Sequence, residues 1–291
     1  KGNKPLPQLF LGDENRKLTK AKGLLIDNRE DPGMSLGKGI LVADYNNDGF
    51  FDFYVYDHGV GSHNGFRDSY FLSQPNGTWL ESSDTHLSHS NFANFDHGGA
   101  VGDIDNDGDM DVVITENDWR TGTFLWCLVN DGTGFLKKRK CGGIFSFALE
   151  LADMDGDGDL DVIVGSNEFT PKHDSHMSPA VVWNDGRGNF NKHNRTNLKI
   201  HRKLGGTPEV SAADLDGDGD LDIVYSRVGY LYVGTAVSII ENLGNKKFKD
   251  HGLIHLLEAP ADYVPDHEGN PYNAFISMVK FRDLDKDGDM D

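Results

Sequence analysis

Acidic side chains recur at alternate positions of a nine-residue pattern, Asp-x-(Asp/Asn)-x-Asp-Gly-x-x-Asp, which occurs five times in this chain of 291 residues. The copies begin at Asp44, Asp103, Asp153, Asp214 and Asp283, at intervals of 59, 50, 61 and 69 residues. Ca²⁺ takes six to eight oxygen ligands, and closely spaced carboxylates offset its charge. The pattern therefore predicts about five bound Ca²⁺ ions, one in each repeat.

Each loop is expected to offer side-chain oxygens at positions 1, 3, 5 and 9 and a backbone carbonyl at position 7, while glycine at position 6 permits the turn. The predicted ligands are Asp44, Asn46, Asp48, Phe50 and Asp52; Asp103, Asp105, Asp107, Asp109 and Asp111; Asp153, Asp155, Asp157, Asp159 and Asp161; Asp214, Asp216, Asp218, Asp220 and Asp222; and Asp283, Asp285, Asp287, Asp289 and Asp291. Because Asn46 replaces a carboxylate with an amide, the first loop should bind Ca²⁺ most weakly.

Three other interpretations of the loops are less favoured. An EF-hand loop ends with Glu at position 12, where this chain has Val55, Ile114, Val164 and Tyr225. Acidic surface turns are common, since Asp and Gly dominate turns, but five turns in the same register favour ion binding. Mg²⁺ is less suitable because it prefers rigid octahedral sites that retain water.

A strand-like apolar run follows each of the first four loops, as in Phe53-Tyr54-Val55-Tyr56 and Val112-Val113-Ile114. Further along each repeat, apolar runs flank Asn-Gly or Asp-Gly turns, which indicates hairpins. In the third repeat the expected last strand is Asn189-Phe190-Asn191-Lys192. Four strands per repeat predict an all-β protein, a β-propeller of four-stranded blades with five repeats visible.

The predicted propeller is a single domain over residues 1–291. Residues 1–22 read as half a blade, its third and fourth strands, and residues 23–291 read as successive blades. The last blade stops at Asp291, the ninth position of its loop. We therefore expect the sequence to be an incomplete part of a larger ring.

Composition narrows the classes of partner. The formal charge is −19, 23 of the 47 acidic side chains lie in the five loops, and no basic stripe suggests nucleic acid. No apolar run has the length of a membrane span, so membrane insertion is not expected. Loops of this kind are best filled where calcium is abundant, which favours an extracellular, cell-surface or periplasmic location. Cys127 and Cys141 flank a predicted hairpin turn and form either a disulfide or two buried thiols.

Ligand binding is expected at the blade face opposite the ion loops, where the long, variable loops lie. Polar and aromatic residues in those loops suit a sugar, whose hydroxyls need hydrogen bonds and whose C–H faces stack on rings. The candidates are His58, His63, His97, Trp119, Arg120, His173, His176, Arg202 and Tyr230. His173-x-x-His176 also has the spacing of half a transition-metal site, without an identifiable third ligand.

The loops resemble the FG-GAP/VCBS repeats of integrin-α-like propellers. The segments that carry the resemblance are Ala100 to Ile114, Leu151 to Val164, Ala212 to Val224 and a variant at Gly39 to Gly49. The resemblance implies a calcium-binding propeller, and propellers of this family commonly have seven blades. Its members include adhesion receptors, lectins and polysaccharide lyases, so it does not define one activity.

Two functions remain open. The favoured one is a secreted or surface-displayed propeller that recognises a glycan or an extracellular protein, with structural calcium. The alternative is a polysaccharide lyase acting on an acidic glycan, in which a His or Tyr abstracts a proton and Arg120 or Arg202 neutralises the uronate carboxylate. A lyase needs these groups in one pocket, whereas a binding protein tolerates separate shallow sites.

Overall fold

The computed structural model describes residues 7–59, 66–90, 95–118, 122–144, 146–165, 178–200, 206–228, 236–256, 276 and 279–281. Within these ranges the chain is all-β apart from one four-residue helix, as the sequence predicts. The chain divides into two compact units, residues 1–140 and 141–291, which are described separately.

The first unit contains a small hairpin and two larger sheets. The hairpin pairs β1 (Phe10–Gly12) with β2 (Leu18–Lys20). The strands of the first sheet are β3 (Leu25–Ile26), β4 (Gly37–Ala43), β5 (Asp52–Asp57), β6 (Ser69–Ser73) and β7 (Trp79–Glu81). The strands of the second sheet are β8 (Asp96–Gly102), β9 (Asp111–Asp118), β10 (Gly122–Val129) and β11 (Lys137–Gly142), whose last two residues belong to the second unit. The helix α1 (Ser83–His86) follows β7.

Consecutive strands lie side by side in both of these sheets. The second sheet has the order β11-β10-β9-β8, and the first sheet has the order β3-β7-β6-β5-β4. The short strand β3 was not anticipated from the sequence, and it pairs with β7 in parallel. The pairs β4–β5, β5–β6, β6–β7, β8–β9 and β9–β10 are antiparallel. Each repeat thus contributes a four-stranded sheet in sequence order, which is the form of a propeller blade.

The core of the first unit is built from the second strand of each sheet and the residues around it. β5 and β9 follow the ion loops, and five of the six residues of β5 are buried. Covering both faces of a strand explains why these segments read as continuous apolar runs. The ring of Tyr56 crosses β8 so closely that a Cβ at position 99 would lie 2.9 Å from it, which requires Gly99. The buried cluster comprises Leu41, Ala43, Tyr45, Tyr54, Tyr56, Tyr70, Leu72, Leu87, Val112, Ile114, Leu128 and Leu136.

The second unit repeats the same arrangement in two four-stranded antiparallel sheets. The strands of the third sheet are β12 (Leu149–Ala152), β13 (Asp161–Val164), β14 (Ala180–Val182) and β15 (Arg195–Asn197). The strands of the fourth sheet are β16 (Val210–Ala213), β17 (Asp222–Arg227), β18 (Ala236–Asn242) and β19 (Phe248–His255). Both sheets follow sequence order. The cluster that they bury includes Ile163, Trp183, Tyr225 and Ile240.

The fourth strand of the third repeat is not where the sequence analysis places it. Residues 189–192 form no strand, and β15 instead pairs with β14 through Thr196 opposite Val181. Phe190 is fully buried, and its amide donates to the carbonyl of Cys141. The aromatic side chain that suggested a strand is therefore buried outside the sheet. The chain then turns, with the amide of Asn194 donating to the carbonyl of Asn191, before strand pairing begins.

Candidate functional site

Four of the five predicted ion loops lie within the described residues, and each connects the first and second strands of its sheet. The loops are residues 44–52 between β4 and β5, 103–111 between β8 and β9, 153–161 between β12 and β13, and 214–222 between β16 and β17. The fifth loop, residues 283–291, lies outside the described residues. We number positions 1 to 9 along each loop and call these the first to fourth loops.

The carboxylate at position 1 organises the turn of each loop. In the second loop the amides of Asp107 and Gly108 donate to the two oxygens of Asp103, at 3.2 and 2.9 Å. Gly108 has φ +93°, in the left-handed region that favours glycine. Position 4 is also left-handed in each loop, and it is Asn or Gly in all four, a signal that the sequence analysis did not use.

The carboxylate at position 9 is buried and links the start of the second strand to position 2 of the loop and to the start of the hairpin. Asp111 is fully buried and accepts hydrogen bonds from the amides of Ile104 at 3.1 Å and Asn130 at 2.7 Å. Position 9 of the other loops makes the equivalent pair of bonds, for example Asp161 with Met154 and Asn184. Both oxygens already accept from backbone donors, so position 9 supports the fold as well as offering charge to an ion.

The carboxylate at position 3 has a buried oxygen without a hydrogen-bond partner in two of the described loops. One oxygen of Asp105, Oδ1, is buried and has no hydrogen-bond partner among the described residues, and the same is true of Asp155 Oδ1. An unpaired buried carboxylate oxygen is costly, which makes a bound cation a suitable partner. Three groups of carboxylates have ligand atoms within 4.8 Å of one another: Asp103, Asp105 and Asp111; Asp153, Asp155 and Asp161; and Asp214, Asp216 and Asp218. The donor set contains only oxygen, which fits a hard divalent ion.

The raised pKa values of the carboxylates at position 9 also indicate that these loops suit a cation. Burial, and after it the charges of Asp105 and Asp107, raise the pKa of Asp111 to about 7. Burial and the neighbouring carboxylates of its own loop raise the pKa of Asp161 to about 7 as well. These pKa values would fall if a divalent ion were bound, because a cation favours the ionised form.

The first loop differs from the others. Asn46 Nδ2 donates to Asp48 Oδ2 at 3.1 Å, so position 3 is partly satisfied within the loop. Its carboxylates do not form a group of three with metal-ligand spacing among the described residues. Burial also raises the pKa of Asp52 at position 9. The loop keeps the turn geometry, since the amide of Gly49 donates to Asp44 Oδ2 at 2.8 Å.

The hairpin of one repeat fastens the ion loop of the preceding repeat through an asparagine that the sequence analysis missed. Asn130 Nδ2 donates to the carbonyl of Tyr45, at position 2 of the first loop, at 2.7 Å. In the second unit Asn242 Nδ2 donates to the carbonyl of Met154, at position 2 of the third loop, at 2.9 Å. The signal in the sequence was an Asn at the start of three hairpins, Asn130, Asn184 and Asn242.

Two of the candidate ligand-binding residues come together at the strand ends opposite the loops. β5 leaves the first loop and ends before His58, while β8 begins beside His97 and runs to the second loop. The ring of His58 lies 4.2 Å from that of Phe95 and 4.6 Å from that of His97. We call these three residues the histidine cluster. The other candidates lie outside the described residues: His63, Trp119, Arg120, His173, His176, Arg202 and Tyr230.

Both imidazoles of the histidine cluster are neutral near pH 7. Burial lowers the pKa of His97 to about 3, with His58 adding to the shift, and burial also lowers the pKa of His58. Nδ1 of each ring lies 3.3 Å from a backbone carbonyl, of Gly59 for His58 and of Phe95 for His97. Nδ1 is therefore assigned as the donor, and this tautomer makes Nε2 a hydrogen-bond acceptor.

A buried acid pair lies next to the histidine cluster and was not anticipated from the sequence. Asp68 accepts from the Tyr54 hydroxyl at 2.6 Å and from the Asp57 amide at 2.9 Å. Both oxygens of Asp96 are buried and have no hydrogen-bond partner among the described residues. Burial and the charge of Asp68 raise the pKa of Asp96 well above its usual value, which favours the protonated form of Asp96. The pair thus stays neutralised in part without an ion.

Neither cysteine is free, and Cys127 and Cys141 are both disulfide-bonded.

Comparison with protein families identifies the repeat. The FG-GAP-like repeat family matches residues 44–114 and 153–225, segments that contain the first to fourth loops. The chain carries FG-GAP-like repeats. The resemblance seen in the sequence is thus confirmed for two segments, each of which contains two of the loops. A comparison with curated protein sequences gave no match.

The solved structures similar to this chain include carbohydrate-active enzymes with low sequence identity. A Bifidobacterium bifidum protein assigned as an exo-β-1,3-galactanase is 13% identical with TM-score 0.44, covering 86% of this chain and 83% of its own. A thermostable family-43 glycoside hydrolase is 10% identical with TM-score 0.44, covering 78% and 73%. An exo-β-1,3-galactanase from Phanerochaete chrysosporium, solved with β-1,3-galactotriose, is 12% identical with TM-score 0.44, covering 84% and 54%.

Within the described part of the chain, no helix is long and apolar enough to cross a membrane.

Proposed function

We propose that this chain is a calcium-stabilised β-propeller that recognises a carbohydrate or an extracellular protein through the face opposite its ion loops. The observation that carries the proposal is the separation of two chemistries along the same strands. Carboxylate loops occupy one end of the first and second sheets, and the histidine cluster occupies the other. Calcium then serves the scaffold, and the opposite face is available for recognition.

Calcium is the ion proposed for every loop. The loops offer oxygen ligands only, in a backbone turn held by position 1, and two of them contain a buried oxygen that has no partner in the described part of the chain. Magnesium would ask for near-ideal octahedral geometry, whereas calcium accepts the flexible, carboxylate-rich arrangement of these loops. We propose one ion for each of the five repeats, and an extracellular, cell-surface or periplasmic location in which those ions are available.

The histidine cluster has the properties of a shallow sugar subsite. Neutral imidazoles accept hydrogen bonds from hydroxyl groups, and the half-buried ring of Phe95 offers a surface for C–H groups. The tautomer set by the Gly59 carbonyl makes Nε2 of His58 a hydrogen-bond acceptor rather than a cationic donor. This chemistry suits a neutral sugar better than a carboxylate-bearing one, so we favour binding over uronate chemistry.

The test is binding of defined oligosaccharides by the calcium-loaded chain. A panel of neutral and acidic oligosaccharides that includes β-1,3-galactotriose is titrated by calorimetry against wild type, His58→Ala and His255→Ala. His255 is exposed in β19 and serves as the matched control. We expect His58→Ala to weaken binding at least tenfold, and His255→Ala to leave both affinity and thermal stability unchanged.

The same titrations are made with Trp119→Ala and Arg120→Ala, because these two candidates from the sequence lie outside the described ranges. Equal binding by wild type and His58→Ala would remove the histidine cluster from the proposal. Release of unsaturated uronate products from an acidic polysaccharide, detected by their near-ultraviolet absorbance, would replace recognition by a lyase activity.

A further inference from the structure

Lys246 stands at a hairpin position where the corresponding hairpins of two other repeats have glycine. It follows Asn242-Leu243-Gly244-Asn245 between β18 and β19, and its φ is +61°. The equivalent residues are Gly134, with φ +81°, and Gly188, with φ +67°. A lysine in the left-handed region costs more than a glycine does, so a compensating interaction is expected.

The compensating interaction is with the third ion loop. Lys246 Nζ lies 2.8 Å from Asp155 Oδ2, and it lies 4.1 Å from the centre of the Trp183 ring. The Asp155 side chain is only 12% exposed. The other oxygen, Asp155 Oδ1, is the buried atom without a partner among the described residues. Lys246 thus holds one oxygen of a predicted calcium ligand while the second remains for an ion.

The contact follows from the repeat geometry. In the first unit the equivalent residue, Gly134, lies over position 3 of the first loop, since a Cβ built there would be 3.2 Å from Asn46 Cβ. This hairpin position therefore faces position 3 of the preceding repeat in both units. In these two observed contacts, the glycine lies over the neutral Asn46 and the lysine lies over the charged Asp155.

We propose that Lys246 is a built-in counter-cation of the third loop that opposes calcium binding there and couples the loop to the hairpin of the next repeat. The inference rests on the proposed calcium binding. Without calcium, the ammonium offsets the repulsion between carboxylates and holds the loop closed. With calcium bound, the ammonium and the ion share Asp155, and their repulsion lowers the affinity of the loop.

The size of the effect follows from Coulomb's law. A single and a double charge about 5 Å apart in a water-like dielectric repel each other enough to change a binding constant on the order of tenfold. Trp183 provides a second attraction for the ammonium, because a cation over an aromatic face is stabilised. Lys246 therefore need not be released into solvent when an ion enters.

The experiment compares three single variants of the full chain. Lys246→Met removes the charge but keeps the length of the side chain, and Lys246→Arg keeps the charge. Lys247→Met is the matched control, since Lys247 is exposed in the same hairpin and has no ion pair among the described residues. Calcium affinities are measured by calorimetric titration, and stability is measured by urea unfolding in chelator and in saturating calcium.

We expect Lys246→Met to raise the affinity of one calcium site about tenfold and to lower the urea midpoint in chelator, while Lys246→Arg and Lys247→Met behave like wild type. In an Asp153→Asn background, which removes a ligand of the same loop, Lys246→Met should no longer change any calcium affinity. The loss of the effect in that background would assign it to the third loop.

An unchanged or lowered calcium affinity in Lys246→Met would overturn the inference, as would an equal effect of Lys247→Met. Failure of the proposed function looks different, because wild type itself would then show no calcium binding. In that case, urea unfolding in chelator would still test whether the ion pair of Lys246 and Asp155 stabilises the loop. An unchanged urea midpoint in Lys246→Met would count against this stabilisation.

Discussion

Replacing Asn130 by alanine tests how strongly neighbouring repeats are fastened together in the first unit. The Asn130 carboxamide is 3% exposed, and it donates to the carbonyls of Tyr45 at 2.7 Å and Met110 at 3.0 Å. Its oxygen accepts from three amides, of which that of Gly134, at 3.2 Å, is buried. The substitution removes all five hydrogen bonds without removing any charge.

The magnitude follows from the groups left without partners. The Tyr45 carbonyl and the Gly134 amide are both buried, and each such group costs about 1–3 kcal/mol when its partner is removed. The three remaining bonds are only partly buried, and water replaces them at a smaller cost. We therefore expect Asn130→Ala to lower the free energy of unfolding by about 3 kcal/mol, toward the upper part of the range for single substitutions.

The assay is urea unfolding in saturating calcium, with Asn76→Ala as the matched control. Asn76 also lies in a hairpin turn and accepts from the Thr78 amide and hydroxyl, but it is exposed. Its substitution should cost about 0.5 kcal/mol or less, as is usual for surface positions. If Asn130→Ala were no more destabilising than Asn76→Ala, the reasoning that the asparagine fastens two repeats would be refuted.

Three further predictions concern the ions. Excess chelator should lower the melting temperature, and Ca²⁺ should restore it better than Mg²⁺, because an ion present at 100 times its Kd adds about 2.7 kcal/mol per site; an unchanged melting temperature would contradict this. At limiting calcium, anomalous scattering should show the first loop emptying before the fourth, since Asn46 supplies no charge; the reverse order would refute the ranking. In chelator, wild type should lose stability relative to Asp111→Asn as the pH rises from 4 to 8. The reason is that the pKa of Asp111 is about 7 in the folded chain, above the ordinary 3.8, so the folded chain binds one more proton than the unfolded chain in this window. The stabilisation by calcium should grow over the same window, and a wild-type advantage in chelator that rises with pH would show the sign to be wrong.

The sequence predicted the parts of the fold whose determinants are close together in the chain. An ion loop draws its carboxylates from nine consecutive residues, and the strand that follows is marked by its own apolar run, so both could be read directly. The meander of four strands followed from short hairpins between neighbours. The exception was the third repeat, where the buried Phe190 turned out to be an anchor and the strand began later, at Arg195.

The contacts that the sequence did not reveal are those between distant residues. Asn130 and Tyr45 are 85 residues apart, and Lys246 and Asp155 meet only because a hairpin of one repeat reaches the loop of another. The raised pKa of Asp96 depends on its burial near Asp68, which no local pattern encodes. Similarly, His58 and His97 were separate candidates in the sequence, and the folding of β5 beside β8 makes them neighbours.

The asparagine contacts also change where the boundaries of a repeat should be drawn. The first loop is completed by the hairpin that holds Asn130, and the third loop is completed by the hairpin that holds Asn242. The modular unit for an ion site is thus a loop together with the hairpin that follows it one repeat later. A fragment cut between sheets would carry a loop with one of its carbonyls unfastened. Recombination that exchanges segments from loop to following hairpin would preserve each site, so such segments, rather than whole blades, are the natural pieces for building shorter or longer arrays.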